Sequence, residues 1–298
     1  GRAETRRTGG DPPARNMKLT ILGSGSPEAY ARRASSGFLL EIGDDRILLD
    51  CGGGVVDNLI RSGRLPRDIT HLFFTHYHSD HMMDYARLVH AAWDEGAPPL
   101  KVFGPNPLAA ITDGYFGPNG VLNNDLRART ELPQSQQVWV ARGGTLPRPW
   151  PAPIVTEIHA GFTFQGDGWT LSSAQATHAE PILDCLGFAV EAGGKKFVYS
   201  GDTGINSEMT NLCRDADFLV HWCYRGSGEQ LHPATQIFCP DPAQVADMAR
   251  SVGVKRLYLS HFRVHMDSAE GHQMALADLT ERFGEETGIV EDLDVFDI

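Results

Sequence analysis

The stretch Thr75-His76-Tyr77-His78-Ser79-Asp80-His81 is the part of this chain that decides its fold. It places three histidines and one aspartate directly after an apolar run that ends at Phe74. The apolar run predicts a buried strand, and residues 82–90 predict a helix, so the cluster lies on a strand-to-helix loop. Loops of this kind are where rigid scaffolds hold reactive side chains.

Imidazole nitrogens and carboxylate oxygens are ligands that zinc and similar divalent ions prefer. Asp80 alone has a simpler explanation, because an aspartate at this position caps the start of a helix. That explanation leaves the three closely spaced histidines without a role, so we predict a metal site here. Together with donors later in the chain, the cluster exceeds what one tetrahedral ion uses, which predicts two neighbouring metals.

Further histidines and aspartates also stand where apolar strands are predicted to end. We expect the carboxyl ends of the strands to bring these residues together at one edge of the fold. Asp50 is then predicted to accept a hydrogen bond from a metal-bound histidine and orient it, and a helix cap is the alternative. The predicted ligands are His76, His78 and His178 for one metal, Asp80, His81 and His261 for the second, and Asp202 as a bridge between them.

Length and composition describe a soluble globular protein. With 298 residues, 41% of them hydrophobic, the chain can bury a large core, and it has no apolar run of membrane-spanning length. The formal net charge of -12 predicts that nucleic acid is not a partner, because nucleic-acid binding depends on Lys and Arg neutralising phosphates. The five cysteines show no paired spacing, which favours a reducing, cytoplasmic compartment.

Residues 1–16 are rich in Arg, Gly and Pro and predict a flexible N-terminal arm. Residues 17–298 then predict a single domain with an inserted loop region at about 117–153. The insert carries two tryptophans and predicts an aromatic cover over the site. The predicted substrate pocket consists of Trp139, Trp150, Trp222 and Tyr224.

The HxHxDH pattern at His76 to His81, with later matches at His178, Asp202 and His261, resembles the metallo-β-lactamase superfamily from Met17 to the C terminus. The opening Gly23-Ser24-Gly25-Ser26-Pro27, with Arg33 beyond it, is similar to the tRNase Z and arylsulfatase-like branch. The resemblance implies an α/β fold, a four-layer αββα sandwich. It also implies two divalent ions, Zn²⁺ or alternatively Mn²⁺ or iron, and a homodimer by analogy with that branch.

These observations lead to a main hypothesis, a dinuclear metal-dependent hydrolase that cleaves an ester-type bond, phosphodiester, sulfate or related, of a small aromatic substrate. Two divalent ions lower the pKa of a shared water, Asp80 is predicted to orient that water, and His221 is predicted to protonate the leaving group. His221 has an alternative role as a buried core residue, because it sits in an apolar strand.

Two other hypotheses remain open. One is a tRNA 3′-processing endonuclease. Members of that class usually carry a His-Glu pair where this chain has His221-Trp222, and no basic arm is visible, so a small-molecule substrate is the prediction. The other is a metal-binding sensor or interaction protein without turnover.

Overall fold

A computed structural model describes residues 16–298, so all but the last residue of the predicted N-terminal arm lies outside the described residues. Two sheets of seven strands each form the centre of this part of the chain. The first sheet has the order β14-β1-β2-β3-β4-β5-β6. Its strands are β1 (Met17–Gly23), β2 (Gly37–Ile42), β3 (Asp45–Leu49), β4 (His71–Phe73), β5 (Lys101–Gly104), β6 (Ile154–Glu157) and β14 (Val295–Asp297).

The second sheet has the order β13-β12-β11-β10-β9-β8-β7. In both sheets one half is antiparallel and the other half is parallel, and parallel neighbours require helical crossovers. The strands are β7 (Thr163–Gln165), β8 (Trp169–Gln175), β9 (Leu186–Ala192), β10 (Lys195–Tyr199), β11 (Phe218–Trp222), β12 (Leu257–Ser260) and β13 (Thr287–Ile289).

Helices cover the outer face of each sheet. The first-half helices are α1 (Val55–Arg61), α2 (Ser79–Met82), α3 (Tyr85–Asp94), α4 (Leu108–Phe116), α5 (Asn123–Glu131) and α6 (Pro133–Ala141). The second-half helices are α7 (Ser207–Leu212), α8 (Pro233–Gln236), α9 (Pro242–Ser251) and α10 (Ala269–Arg282). A short 3₁₀ turn, Pro66–Asp68, precedes β4.

The period-two alternation of the strands divides the core into three layers. In β2, Phe38 and Leu40 point between the sheets, whereas Leu39 joins the cluster under α1 and α3. A third cluster packs the second sheet against α7, α9 and α10, with Val245 and Leu279 fully buried. Helix, sheet, sheet and helix thus form the four-layer αββα sandwich, and the predicted fold class is confirmed.

Three local predictions differ from the structure. The helix expected over 82–90 is split into α2 and α3, and Asp80 lies inside α2 and does not cap it. The sequence predicts one C-terminal strand near 290–296, whereas the structure has two short strands in this region, β13 and β14, which lie in different sheets. The 117–153 segment, which is predicted to be an irregular loop, contains α5 and α6. Because α6 buries none of its residues, it lacks the apolar face from which a helix can be predicted.

Within residues 16–298, no helix combines the length and the apolar character that crossing a membrane requires.

Candidate metal centre

The candidate site lies where the carboxyl ends of strands from both sheets meet. The histidine cluster follows β4, and Asp50 directly follows β3 in the first sheet. Strands β8, β10 and β12 of the second sheet end just before His178, Asp202 and His261. The structure therefore brings together all seven residues that the sequence nominates as metal ligands.

The first group is made of three histidines and one aspartate. The distance from His78 Nδ1 is 3.1 Å to His76 Nε2 and also 3.1 Å to His178 Nε2. Asp202 completes the group, with its Oδ2 3.5 Å from His178 Nε2. Ring nitrogens and a carboxylate oxygen that converge in this way can surround a common cation.

The second group shares Asp202 with the first. His261 Nε2 lies 2.9 Å from Asp80 Oδ2 and 3.3 Å from Asp202 Oδ2. His81 Nε2 lies 3.3 Å from Asp202 Oδ1. In each group the candidate ligand atoms all lie within 4.8 Å of one another, so two ions can sit side by side with Asp202 between them.

Two buried polar atoms of this cluster test whether a cation fits. His81 Nε2 and Asp202 Oδ1 are both inaccessible to solvent, and neither has a hydrogen-bond partner. A buried polar atom without a partner costs about 1–3 kcal/mol, so its presence calls for a missing ligand. A divalent cation would satisfy both atoms at once, so the donor set fits a divalent metal ion.

Asp50 lies directly beneath His81. Its Oδ2 accepts hydrogen bonds from His81 Nδ1 at 2.7 Å, Thr75 Oγ1 at 2.8 Å and the Tyr199 hydroxyl at 3.0 Å. Its Oδ1 accepts the Thr75 backbone N–H at 2.8 Å. Because Asp50 accepts the proton of Nδ1, Nε2 is the His81 nitrogen that is turned towards Asp202.

The glycine run after Asp50 allows the chain that follows β3 to lie close to the segment that carries Asp80 and His81. A Cβ atom on Gly52 would lie 2.1 Å from the carbonyl oxygen of Asp80, which no side chain permits. The neighbouring Cys51 N–H donates to the carbonyl oxygen of His81 at 2.8 Å. Gly52 therefore lets the chain after β3 hold the cluster loop through its backbone.

Burial and mutual contact set the protonation of the site. Burial lowers the pKa of His76 and His178, which favours the neutral imidazoles that bind metals. Burial alone would raise the pKa of Asp80, but hydrogen bonds from His261 and His81 outweigh it and hold that pKa well below its ordinary value. Burial likewise opposes ionisation of Asp202, and the charges of His261 and His81 keep its pKa low. Both carboxylates are thus ionised.

A cavity of about 380 Å³ opens above the cluster of candidate metal ligands. This volume lies within the usual range of ligand pockets, roughly 300–1,000 Å³. Trp222 and Tyr224 line it, with their rings stacked at a centroid distance of 5.6 Å. Pro27, in the loop after β1, also lines the cavity, and the rest of the wall comes from the loop after β11, which reaches the cavity with Ala234, Thr235, Phe238 and Cys239.

The sequence missed this loop as a pocket wall because its composition predicts only a polar surface segment. Beyond Tyr224, Phe238 is the one large aromatic residue in it, and this residue is 40% exposed. The short apolar run Ile237-Phe238-Cys239, with both Ile237 and Phe238 exposed, is the local signal that distinguishes this segment from an ordinary loop.

The other two predicted pocket residues lie away from the cavity, contrary to the prediction. Trp139 packs against the guanidinium of Arg148 at 4.5 Å and donates its indole N–H to the carbonyl of Thr145. Trp150 donates its N–H to the carbonyl of Phe116. Because local groups satisfy both rings, the 117–153 segment supplies none of the residues that line the cavity.

His221 lies on β11 and is fully buried. Its Nδ1 lies 2.8 Å from the carbonyl oxygen of Trp222, its Nε2 has no partner, and burial lowers its pKa to about 4. It is not among the residues that line the cavity. The structure therefore does not place His221 where it could reach a leaving group.

The fold and the site define a metal-dependent hydrolase. The model of the β-lactamase superfamily domain matches residues 45–262. The chain thus belongs to the metallo-β-lactamase superfamily.

Three comparisons define its nearer surroundings. A Ribonuclease Z from Mycobacterium sp. (strain KMS) is 29% identical over 254 residues, covering 83% of this chain and 84% of the relative. The metallo-β-lactamase fold protein YhfI from Bacillus subtilis superposes with a TM-score of 0.70 at 20% identity, over 95% of this chain and all of that one. The short form of human tRNase Z superposes with a TM-score of 0.66 at 20% identity, over 94% and 98% of the two chains.

These relatives correct two predictions. The prediction of a small aromatic ester as the substrate is wrong, because the curated relatives are named Ribonuclease Z. In addition, two of the four aromatic residues on which that prediction rests lie outside the cavity. The exclusion of nucleic acid as a partner is wrong for the same reason. The net charge of a whole chain does not report the electrostatic field at one site, which depends on local charges and bound ions.

The hypothesis of a metal-binding sensor without turnover is rejected as well, because the family and the relatives indicate a metal-dependent hydrolase.

Proposed function

We propose that this protein is a metal-dependent endonuclease that cleaves the 3′ extension of precursor tRNA. The observation that carries the proposal is the joined pair of donor groups at the floor of an open cavity. Two ions side by side are the arrangement that clamps both the attacking and the leaving oxygen of a phosphodiester. The similarity to Ribonuclease Z, over 83% of the chain, supports RNA as the source of that phosphodiester.

The composition of the two donor groups supports an assignment of ligands to each ion. His76, His78 and His178 would hold one ion, and Asp80, His81 and His261 would hold the other, with Asp202 in contact with both groups. Five imidazoles and two carboxylates suit Zn²⁺, which is the ion we propose. When bound, a pair of such ions activates water and stabilises the charge that develops on the phosphate oxygens.

The protein's own groups orient the reaction. Asp80 lines the cavity and is ionised, so its carboxylate is able to accept a hydrogen bond from the attacking water. Asp50 holds the His81 ring in place through its Nδ1–H. The stacked rings of Trp222 and Tyr224 give the cavity an apolar wall that limits the access of bulk water.

Binding of RNA to a chain with a net charge of -12 needs a local source of positive charge. Two divalent ions carry four positive charges, against the two negative charges of Asp80 and Asp202 within the donor groups. The scissile phosphate therefore meets a positive field at the cavity floor even though the whole chain is acidic.

The test uses precursor tRNA with a 3′ extension. We expect protein stripped of metal by a chelator to be inactive, and Zn²⁺ add-back to restore one cut at the base of the extension, visible on a sequencing gel. A His78→Ala variant purified in parallel controls for contaminating nucleases and should not cut. Absence of cleavage by protein that holds its full complement of metal would rule the proposal out.

Phe238→Ala should weaken RNA binding without slowing the chemical step. An exposed aromatic ring at a cavity wall can stack on an unpaired base, a contact worth about 1–3 kcal/mol. We expect KM for precursor tRNA to rise roughly tenfold, with little change in kcat. Ile237→Ala, which removes a neighbouring exposed side chain that does not line the cavity, is the matched control. Equal effects of the two changes would contradict a stacking role.

A further inference from the structure

Arg33 is a fully buried arginine that the proposed reaction leaves without a role. Its Nε–H donates to Asp267 Oδ2 at 2.9 Å, and its Nη1 donates to Ser24 Oγ at 2.7 Å and to the carbonyl of Val290 at 2.6 Å. Its Nη2 donates to Asp267 Oδ1 at 3.0 Å and to Glu291 at 2.7 Å. Each of the five N–H groups thus has an acceptor, a complete use of the guanidinium fork.

Two residues that contact Arg33, Ser24 and Phe262, adjoin His261. Ser24 provides the carbonyl oxygen that accepts the backbone N–H of His261 at 2.8 Å and that of Phe262 at 3.3 Å. The ring of Phe262 lies under the guanidinium at 5.6 Å. Arg33 therefore contacts Ser24, which accepts the backbone N–H of His261, and Phe262, which follows His261 in the chain.

His261 needs this support because its backbone is strained. Its φ is 71°, in the left-handed region that a residue with a side chain rarely adopts. Such a conformation costs on the order of 1–3 kcal/mol and persists only where the surroundings enforce it. The strained backbone is what aims His261 Nε2 at Asp80 Oδ2, 2.9 Å away.

Ser24 is itself fixed so that its carbonyl cannot move. Its hydroxyl accepts from Arg33 and donates to Asp292 Oδ1 at 2.7 Å, and its backbone N–H donates to the same oxygen at 3.0 Å. The flanking glycines allow the close approach: a Cβ on Gly23 would lie 1.6 Å from the carbonyl oxygen of Ser35. The Gly23-Ser24-Gly25 turn is thus clamped between Arg33 and Asp292.

We infer that Arg33, acting through Ser24 and Phe262, is a positioning residue for the metal held by Asp80, His81, Asp202 and His261. The inference deepens the proposed function, because it rests on that metal centre. It assigns Arg33, in the loop between β1 and β2, to the second of the two ions. Arg33 is not expected to affect the ion of His76, His78 and His178. Groups that orient metal ligands typically change affinity by about 10–100-fold when they are altered.

The test measures Zn²⁺ binding, not RNA cleavage. Metal-free protein is titrated with Zn²⁺ in competition with a chromophoric chelator, and a His261→Ala variant identifies which of the two binding events belongs to the second site. We expect Arg33→Lys and Ser24→Ala to weaken that event by about 10–100-fold and to leave the other nearly unchanged. Lysine keeps the buried positive charge, so we expect the fold to be retained. Its ammonium group cannot reach all five acceptors, so the support of His261 is lost.

Arg32→Ala is the matched control. Arg32 is 49% exposed and contacts the same two carboxylates, Asp267 at 3.4 Å and Glu291 at 2.8 Å, but not Ser24. It should bind both ions as the wild type does. Wild-type affinity in both Arg33→Lys and Ser24→Ala, with only a lower unfolding temperature, would show a purely structural role and overturn the inference. An equal loss in Arg32→Ala would overturn it too.

The outcomes separate this inference from the proposed function. A wild-type protein that binds two ions but leaves precursor tRNA intact refutes the endonuclease proposal and leaves the role of Arg33 standing. A wild-type protein that binds no Zn²⁺ refutes the metal centre and with it the role of Arg33.

Discussion

Asp202→Asn should nearly abolish hydrolysis and remove at least one bound metal. Asp202 is the one side chain common to both donor groups, with contacts to His81, His178 and His261. An amide has the same shape but no charge, so both proposed ions lose a charged ligand. Loss of several kcal/mol of transition-state stabilisation, at about 1.4 kcal/mol per factor of ten, corresponds to roughly a thousandfold fall in kcat.

The measurement pairs metal content by mass spectrometry with kcat on precursor tRNA. Asp184→Asn makes the same chemical change on an exposed aspartate of the loop after His178 and should leave both quantities unaltered. The metal-free Asp202→Asn protein should still fold cooperatively, because the amide fills the same space. Two ions bound at wild-type affinity would show that Asp202 does not bridge the groups.

The proximity of the candidate metal ligands could be predicted because the sequence signal is short-range and chemical. His76 to His81 carries three imidazoles and a carboxylate on one loop, and Asp202 and His261 each stand just after a strand of branched and aromatic residues. Strand ends in layered α/β folds converge at one edge, so the positions alone implied proximity. The near-continuous apolar sequence of β2 is likewise typical of a strand that is buried on both faces, as the structure shows it to be.

The surroundings of the cluster were not predictable, because they depend on which segments pack together. Helix α6 has no buried residue, so nothing in its sequence separates it from a loop. The sequence does not show towards which part of the fold the rings of Trp139 and Trp150 point. In the structure, nearby backbone carbonyls accept the indole N–H of each ring. The loop of Phe238 reaches the cavity only through tertiary packing, for example of its backbone against Gly204.

The role of Arg33 shows a second limit of sequence reasoning. Its partners Ser24, Asp267, Val290 and Glu291 span the two ends of the described chain, so no local pattern connects them to His261. A buried arginine becomes visible only once the fold shows that every N–H has an acceptor.

Asp50→Asn should cost both metal affinity and activity although Asp50 itself lies below the ligands. Four donors converge on its carboxylate, three of them on Oδ2, from His81, Thr75 and Tyr199. An amide must turn an NH₂ group towards donors, which leaves buried groups unpaired at about 1–3 kcal/mol each. Asparagine also tolerates the left-handed backbone at this position, φ 60°, so the effect isolates the carboxylate.

The larger consequence of Asp50→Asn concerns the His81 tautomer. An amide that donates to His81 Nδ1 moves the ring proton to Nε2, the atom that faces Asp202, and a protonated Nε2 cannot bind a cation. We expect Zn²⁺ affinity at the second site to fall by roughly 100-fold, with a matching loss of activity at limiting metal and partial rescue at high Zn²⁺. Asp44→Asn, on the exposed turn before β3, is the control and should change neither. Rescue by metal distinguishes a ligand-orienting carboxylate from one that only stabilises the fold, since added Zn²⁺ cannot repair a packing defect. An Asp50→Asn protein that is less stable but binds Zn²⁺ as tightly as the wild type would therefore assign Asp50 to the core alone.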